Sequence, residues 1–150
     1  MKSSVFFLAL TAFINSYSQS VDYNQKQGYI AGGYDVVSYF NNDPQKGSEE
    51  FTIVHDNAKF RFKNQENLAA FQANPEKYIP QYGGWCAYAM AKSGKKVTVN
   101  PKTYEIRNGK LYLFYNKRFN NTLKSWIKEK PLVLIPKADS NWGKIKHQKK

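Results

Sequence analysis

Polar and apolar residues alternate over short stretches of this chain, and the period changes several times between two and about three and a half. Phe51-Thr52-Ile53-Val54-His55 and Lys59-Phe60-Arg61-Phe62-Lys63 keep the two-residue period of strands, with Phe60 and Phe62 on one face. Asp56-Asn57-Ala58 between them predicts a hairpin turn. The same pattern returns in Thr103-Tyr104-Glu105-Ile106-Arg107 and in Lys110-Leu111-Tyr112-Leu113-Phe114-Tyr115. Asn108-Gly109 joins those two runs, and both residues accept the positive φ that a tight hairpin turn demands. Val97-Thr98-Val99 predicts another short strand, ended by Asn100-Pro101.

Helical spacing governs other stretches. Gln65 to Ala73 is predicted as a helix capped by Asn64, with Leu68 and Phe71 three apart on the core side. A second helix is predicted from Asn116 as cap to about Lys130, with Phe119, Leu123, Trp126 and Ile127 at helical spacing. Pro131 is expected to end it, leaving Leu132 to Ile135 as an apolar connection and Lys144 to Lys150 as a frayed basic tail. Asp35 reads as the cap of a brief helix through Val36, Val37, Tyr39 and Phe40. Asn41 to Ser48 is a dense turn cluster and therefore a surface loop.

Between these runs lies the most unusual stretch, Asn74-Pro75-Glu76-Lys77-Tyr78-Ile79-Pro80-Gln81-Tyr82-Gly83-Gly84-Trp85-Cys86-Ala87-Tyr88. The residue before a proline is driven out of helical geometry, so the preceding helix stops at Asn74. Gly83-Gly84 allows a sharp loop, and Trp85 to Ala91 is apolar enough to be buried. Strands and helices are intermixed in short pieces, without the regular alternation of a parallel sheet. The expectation is a small α+β domain of short antiparallel hairpins packed against short helices.

Composition changes this picture at three points. First, the N-terminus has the three parts of an export signal: Lys2, the apolar run Val5 to Ile14, and small residues at Ser16, Ser18 and Ser20. Residues 1–20 are therefore expected to be a signal peptide and 21–150 one folded domain, exported to a periplasm or secreted. No later segment is long and apolar enough to cross a bilayer. Second, a single cysteine in 150 residues excludes an internal disulfide. Third, the net charge of +12 is uneven: residues 92–150 hold 16 Lys and Arg against 3 Asp and Glu, and residues 21–91 hold 6 against 8. A basic half attracts anionic partners, or keeps a solvated face soluble.

Several strings in order along the chain resemble one family. They are Gly33-Tyr34-Asp35-Val36-Val37-Ser38-Tyr39-Phe40, Phe60-Arg61-Phe62, Asn74-Pro75-Glu76-Lys77-Tyr78, Gln81 to Tyr88, Asn108 to Leu113, and Ala138-Asp139-Ser140-Asn141-Trp142. Together they resemble the exported YHS-domain proteins of bacteria, over nearly all of residues 21–150. The wider YHS group is similar to small cysteine-bearing modules of heavy-metal transporters and metal-resistance proteins, which implies metal handling. This chain departs from that pattern: no cysteine precedes Phe51, and Phe62-Lys63-Asn64 stands where one would follow the strand. What carries over rests on Cys86.

Candidate chemistry centres on that thiol. If the chain is helical from Trp85, Cys86 and Met90 lie four apart on one face, and a thiolate with a thioether suits a soft ion such as copper(I). His55 on the first hairpin arm is the candidate third ligand. The other readings of Cys86 are a packed, inert thiol, the ordinary state of a free cysteine, and a redox-active one. Zinc would need about four ligands in close pairs, which the sequence lacks. No phosphate loop, dinucleotide fingerprint or catalytic triad pattern is present, so no enzyme is expected. The rival expectation is an extracytoplasmic binding module for a small anionic or sugar-like ligand. It would use the basic, aromatic C-terminal half: Tyr82, Trp85, Tyr88, Tyr104, Tyr112, Phe114, Tyr115 and Trp126 with interleaved lysines. Peripheral contact with a membrane surface is compatible with that charge, and nucleic acid is not an expected partner of an exported protein.

Overall fold

The computed structural model describes residues 19–150, so the apolar run and most of the expected signal peptide lie outside the described residues. Within them the fold is α+β, built of two-stranded antiparallel hairpins and short helices. No helix among the described residues is long and apolar enough to cross a membrane.

Strands β1 (Gln25–Lys26) and β2 (Tyr29–Ile30) open the domain. Strands β3 (Ser48–His55) and β4 (Ala58–Phe62) form the first long hairpin. Its turn is Asp56-Asn57, both at positive φ (47° and 62°), one residue tighter than the expected turn. Helix α1 (Gln65–Ala73) begins where Asn64 Oδ1 accepts the Asn67 amide proton at 2.8 Å. Its Phe71 packs against Phe60 and Phe62, ring centroids 4.7 and 5.1 Å away. Pro75 opens a further turn of helix, α2 (Pro75–Tyr78), because a first helical residue needs no amide proton. Helix α3 (Ala87–Ser93) follows the glycine loop.

Strands β5 (Asn100–Arg107) and β6 (Lys110–Phe114) form the second long hairpin, with Asn108 and Gly109 at φ 50° and 71°. Strand β6 is buried on both faces. Leu111 and Leu113 join one core with Ile30, Tyr39, Phe60, Phe62 and Phe71. Tyr112 and Phe114 join a second core with Tyr82, Trp85, Met90, Trp126, Leu134 and Ala138. A period of two on one strand therefore divides the interior into two cores.

Asp35 anchors the first core. It is fully buried, and Oδ1 accepts the amide protons of Val37 (2.9 Å) and Ser38 (3.3 Å). Oδ2 accepts from the Lys63 amide (2.9 Å) and from Asn67 Nδ2 (2.6 Å), tying the start of α1 to the capped turn. The expected brief helix is a 3₁₀ turn over Ser38–Asn41.

The C-terminal half differs from expectation in four places. Val97 to Val99 is not a strand. Strand β5 starts instead at Asn100, and a register shift between Asn100 and Tyr104 accommodates Pro101 as a bulge. Asn116 does not cap a helix. Asn116–Lys117 (β7) and Asn120–Asn121 (β8) pair as a small hairpin, because the Tyr115 carbonyl accepts both the amide (3.0 Å) and the hydroxyl (2.9 Å) of Thr122 across its neck. Helix α4 (Thr122–Lys128) begins there with Asn121 as its cap. Pro131 starts rather than stops a helix: α5 (Pro131–Ile145) absorbs Leu132 to Ile135, and Leu134 and Ala138, four apart, bury one face. Finally, the tail expected to fray lies against the N-terminal segment. Lys146 accepts the Asp22 amide at 2.7 Å through its carbonyl. Lys96, whose side chain is only 5% exposed, meets the Asp22 carboxylate at 3.0 Å and also donates to the Gln148 carbonyl.

Candidate functional site

Cys86 sits at the N-terminal end of α3, as the glycine turn before it predicts, and its sulfur is completely buried. Its amide donates to the Val97 carbonyl at 2.9 Å, and its carbonyl accepts from Met90 at 3.0 Å. Sγ accepts the Tyr115 amide proton at 3.3 Å and lies 3.3 Å from Thr122 Oγ1. Thr122 Oγ1 also lies 2.9 Å from the Tyr115 carbonyl, so sulfur, hydroxyl and backbone close one hydrogen-bonded group. Cys86 Sγ thus joins the start of α3 to the neck of the β7–β8 hairpin through two hydrogen bonds. A metal at that sulfur would have to displace these partners.

The helix begins only at Ala87, with Trp85 extended and Cys86 outside it at ψ 116°, so the expected helical face shared by Cys86 and Met90 is not formed; Met90 is fully buried in the second core. His55 is placed elsewhere: its ring meets Phe71 edge-on at 5.8 Å, and Phe71 belongs to the first core. No group of three or more His, Cys, Asp or Glu among the described residues is arranged to hold a metal ion. Met90 thus lies in the second core and His55 against the edge of the first, and the buried Cys86 and Met90 sulfurs offer a metal no open approach. Among the aromatics, Tyr112 and Phe114 pack on Trp126 at 5.7 and 5.5 Å inside the second core, and the three present no platform to solvent.

An open cleft lies on the other side of the glycine loop. Tyr82, Gly83 and Gly84 all have positive φ (56°, 60° and 79°), which turns the loop so that its carbonyls face the N-terminal segment. The Gly83 carbonyl accepts the Asn24 amide at 2.8 Å, and the Gly84 carbonyl accepts Asn24 Nδ2 at 2.9 Å. A Cβ on residue 83 would lie 2.9 Å from the Trp142 ring, so glycine there lets the indole of α5 settle on the loop backbone. One turn earlier on α5, Asp139 Oδ1 accepts the Tyr82 phenol at 2.9 Å. Burial first, and that carboxylate second, push the Tyr82 phenol far above its ordinary range, fixing it as a donor.

The resulting cleft has a volume of about 330 Å³. Its aromatic walls are Tyr23, Tyr82 and Trp142; Glu76, Gln81 and Asp139 supply hydrogen-bonding groups. Among the described residues, Lys146 is its one cationic lining side chain, against the carboxylates of Glu76 and Asp139. In a chain of net charge +12, this site is not basic. A separate pair of adjoining hollows, about 260 and 380 Å³, shares Lys26, Thr98, Val99 and Pro101, and the second reaches Tyr115 and Lys117.

Of the aromatics proposed as binding groups from sequence, only Tyr82 lines the cleft. Trp142, Asp139 and Glu76 were missed as site residues, although each lies in one of the strings singled out in the sequence. Two of those strings, Gln81 to Tyr88 and Ala138 to Trp142, meet here. No protein-family model, curated protein or solved structure matches the chain.

Proposed function

We propose that this chain is an exported, non-catalytic binding module of the YHS-like type, which takes a neutral, hydroxyl-rich ligand such as a sugar in the Tyr82–Trp142 cleft. The observation that carries this reading is the indole of Trp142 held on Gly83 beside the Tyr82–Asp139 pair. A sugar ring offers C–H groups to an aromatic face and hydroxyls to carboxylate and amide edges. Glu76, Asp139 and Gln81 supply those edges at the mouth of the cleft. The two carboxylates disfavour an anion, which narrows the expectation of an anionic or sugar-like ligand to its second half. Asp139 and Glu76 are both exposed at the cleft, where their oxygens are free to accept from a ligand's hydroxyls.

Titration with a panel of neutral mono- and disaccharides, followed by intrinsic tryptophan fluorescence, tests the reading. A saturable change is expected with at least one neutral sugar, reduced about tenfold or more in affinity by W142A and absent with glucuronate. A response that survives W142A, or none with any neutral sugar, overturns it. Copper(I) competition with a chromogenic chelator run alongside tests the copper expectation: the buried, hydrogen-bonded Cys86 thiol is expected to leave the metal with the chelator and to react with a thiol reagent only after denaturation.

A further inference from the structure

The β7–β8 hairpin carries Lys117-Arg118-Phe119-Asn120 at its tip, with Lys117 paired to Asn120 and Arg118 at φ 55°. Phe119 is wholly exposed, at 105% of the reference value. Every other phenylalanine among the described residues is buried or half-buried, so the fold has room for such side chains and does not take this one. The hairpin is not a loose loop. At its base Thr122 closes on the Tyr115 carbonyl, the Tyr115 amide donates to the Cys86 sulfur, and Asn116 Nδ2 donates to Thr103 Oγ1 at 3.0 Å. A rigid stem therefore presents a phenyl ring to solvent, at the cost of exposing it.

The surroundings have one charge. Lys117 and Arg118 flank the ring; Lys124 and Lys128 follow on α4 with Ile127, half exposed, on the same side. Lys130, Leu132 and Val133 come next, with both aliphatic residues exposed. From 117 to 133 the only acidic residue is Glu129, and it is held by Lys92 at 2.8 Å and by the Tyr88 phenol at 2.6 Å.

We propose that this hairpin tip, with the adjoining side of α4, docks on an anionic lipid bilayer, with Phe119 entering the headgroup region and the lysines and arginine meeting lipid phosphates. An aromatic ring beside several cations is the pairing such a surface rewards, through apolar burial and electrostatic attraction together. A second copy of the chain would bring the same positive charge to the contact. A protein partner of ordinary interface size would find single apolar side chains separated by lysines rather than a continuous patch. Single-stranded nucleic acid would stack on Phe119 but gains nothing from Ile127, Leu132 and Val133, which have no aromatic face.

The test is binding of the full chain to vesicles of phosphatidylcholine with and without 30% phosphatidylglycerol, at about 0.1 M salt, where charge is only partly screened. Binding is expected to the anionic vesicles only, about tenfold weaker for F119S with its thermal unfolding unchanged. Both proteins carry the same residues 1–18, so the difference reads position 119 alone. In a second arm, F119W is expected to show emission quenched by brominated lipid beyond that of the parent protein. Equal affinity of F119S and parent, or no extra quenching in F119W, overturns the proposal. The same F119S loss on oligothymidylate or dextran sulfate, with none on vesicles, also overturns it and assigns the tip to a polyanion.

Discussion

Asp35 accepts four hydrogen bonds, two on each carboxylate oxygen, which makes both oxygens structural acceptors. An asparagine has nearly the same shape but replaces one acceptor oxygen with a donor. Whichever way the amide faces, its NH₂ then opposes N–H donors, on the Val37 and Ser38 side or on the Lys63 and Asn67 side. D35N is therefore expected to destabilise the protein by about 3 kcal/mol, read from urea unfolding, because a buried polar network that is half satisfied costs more than one removed. A loss below about 1 kcal/mol would mean that water already reaches this carboxylate. The capping role was legible in the sequence, since Asp35 precedes a short apolar run. The links to Lys63 and Asn67 were not, because nothing local announces a partner 28 or 32 residues away. Cys86 shows the same limit from the other side. Its place after a glycine turn suggested chemistry, and only the return of Tyr115 and Thr122, 29 and 36 residues on, makes the sulfur a structural hydrogen-bonding group.

Elements whose signals are local were readable: the Asn108-Gly109 hairpin, the Asn64-capped α1 and the β3–β4 hairpin all formed where pattern and turn chemistry agreed. Elements decided by distant contacts were not. Asn116 and Asn121 are equally good caps by type, and Phe119, Leu123 and Trp126 fit a helix from either. The Thr122 bonds to the Tyr115 carbonyl select the later start and put Phe119 outside. Pro131 was ambiguous in the same way, since a proline that ends one helix also suits the first position of the next. The cleft depends on one such element boundary. In G83A, the added Cβ meets both the Trp142 indole and a φ of +60°. The expected result is a loss of about 1–3 kcal/mol together with a changed near-ultraviolet dichroism of tryptophan, as the ring is lifted from the loop. Unchanged dichroism would show that Trp142 is not seated on that backbone.

For the molecule as a whole, three phenols, Tyr39 and Tyr82 buried and Tyr23 half-buried, govern the response to alkali. Tyr39 is raised chiefly by burial; Tyr23 and Tyr82 are raised by burial and then by hydrogen bonds to Asp56 and Asp139. The folded chain holds these protons more tightly than the unfolded chain. The stability they contribute is therefore fully present below about pH 10, the ordinary phenol value, and is lost as pH rises beyond it. Part of the tyrosinate absorbance is expected to grow in step with the loss of tertiary dichroism during alkaline titration. Complete ionisation ahead of unfolding would contradict the burial of these groups.

Strand β6 gives the two cores a common wall five residues long, with Leu111 and Leu113 on one side and Tyr112 and Phe114 on the other. Softening in either compartment strips shelter from the same backbone that the other leans on. The glycine-loop half and the β3–β4 half are thus partners in one fate: a lesion in the core beneath the β3–β4 hairpin should be felt at the Tyr82–Trp142 cleft without any part of the cleft having been touched.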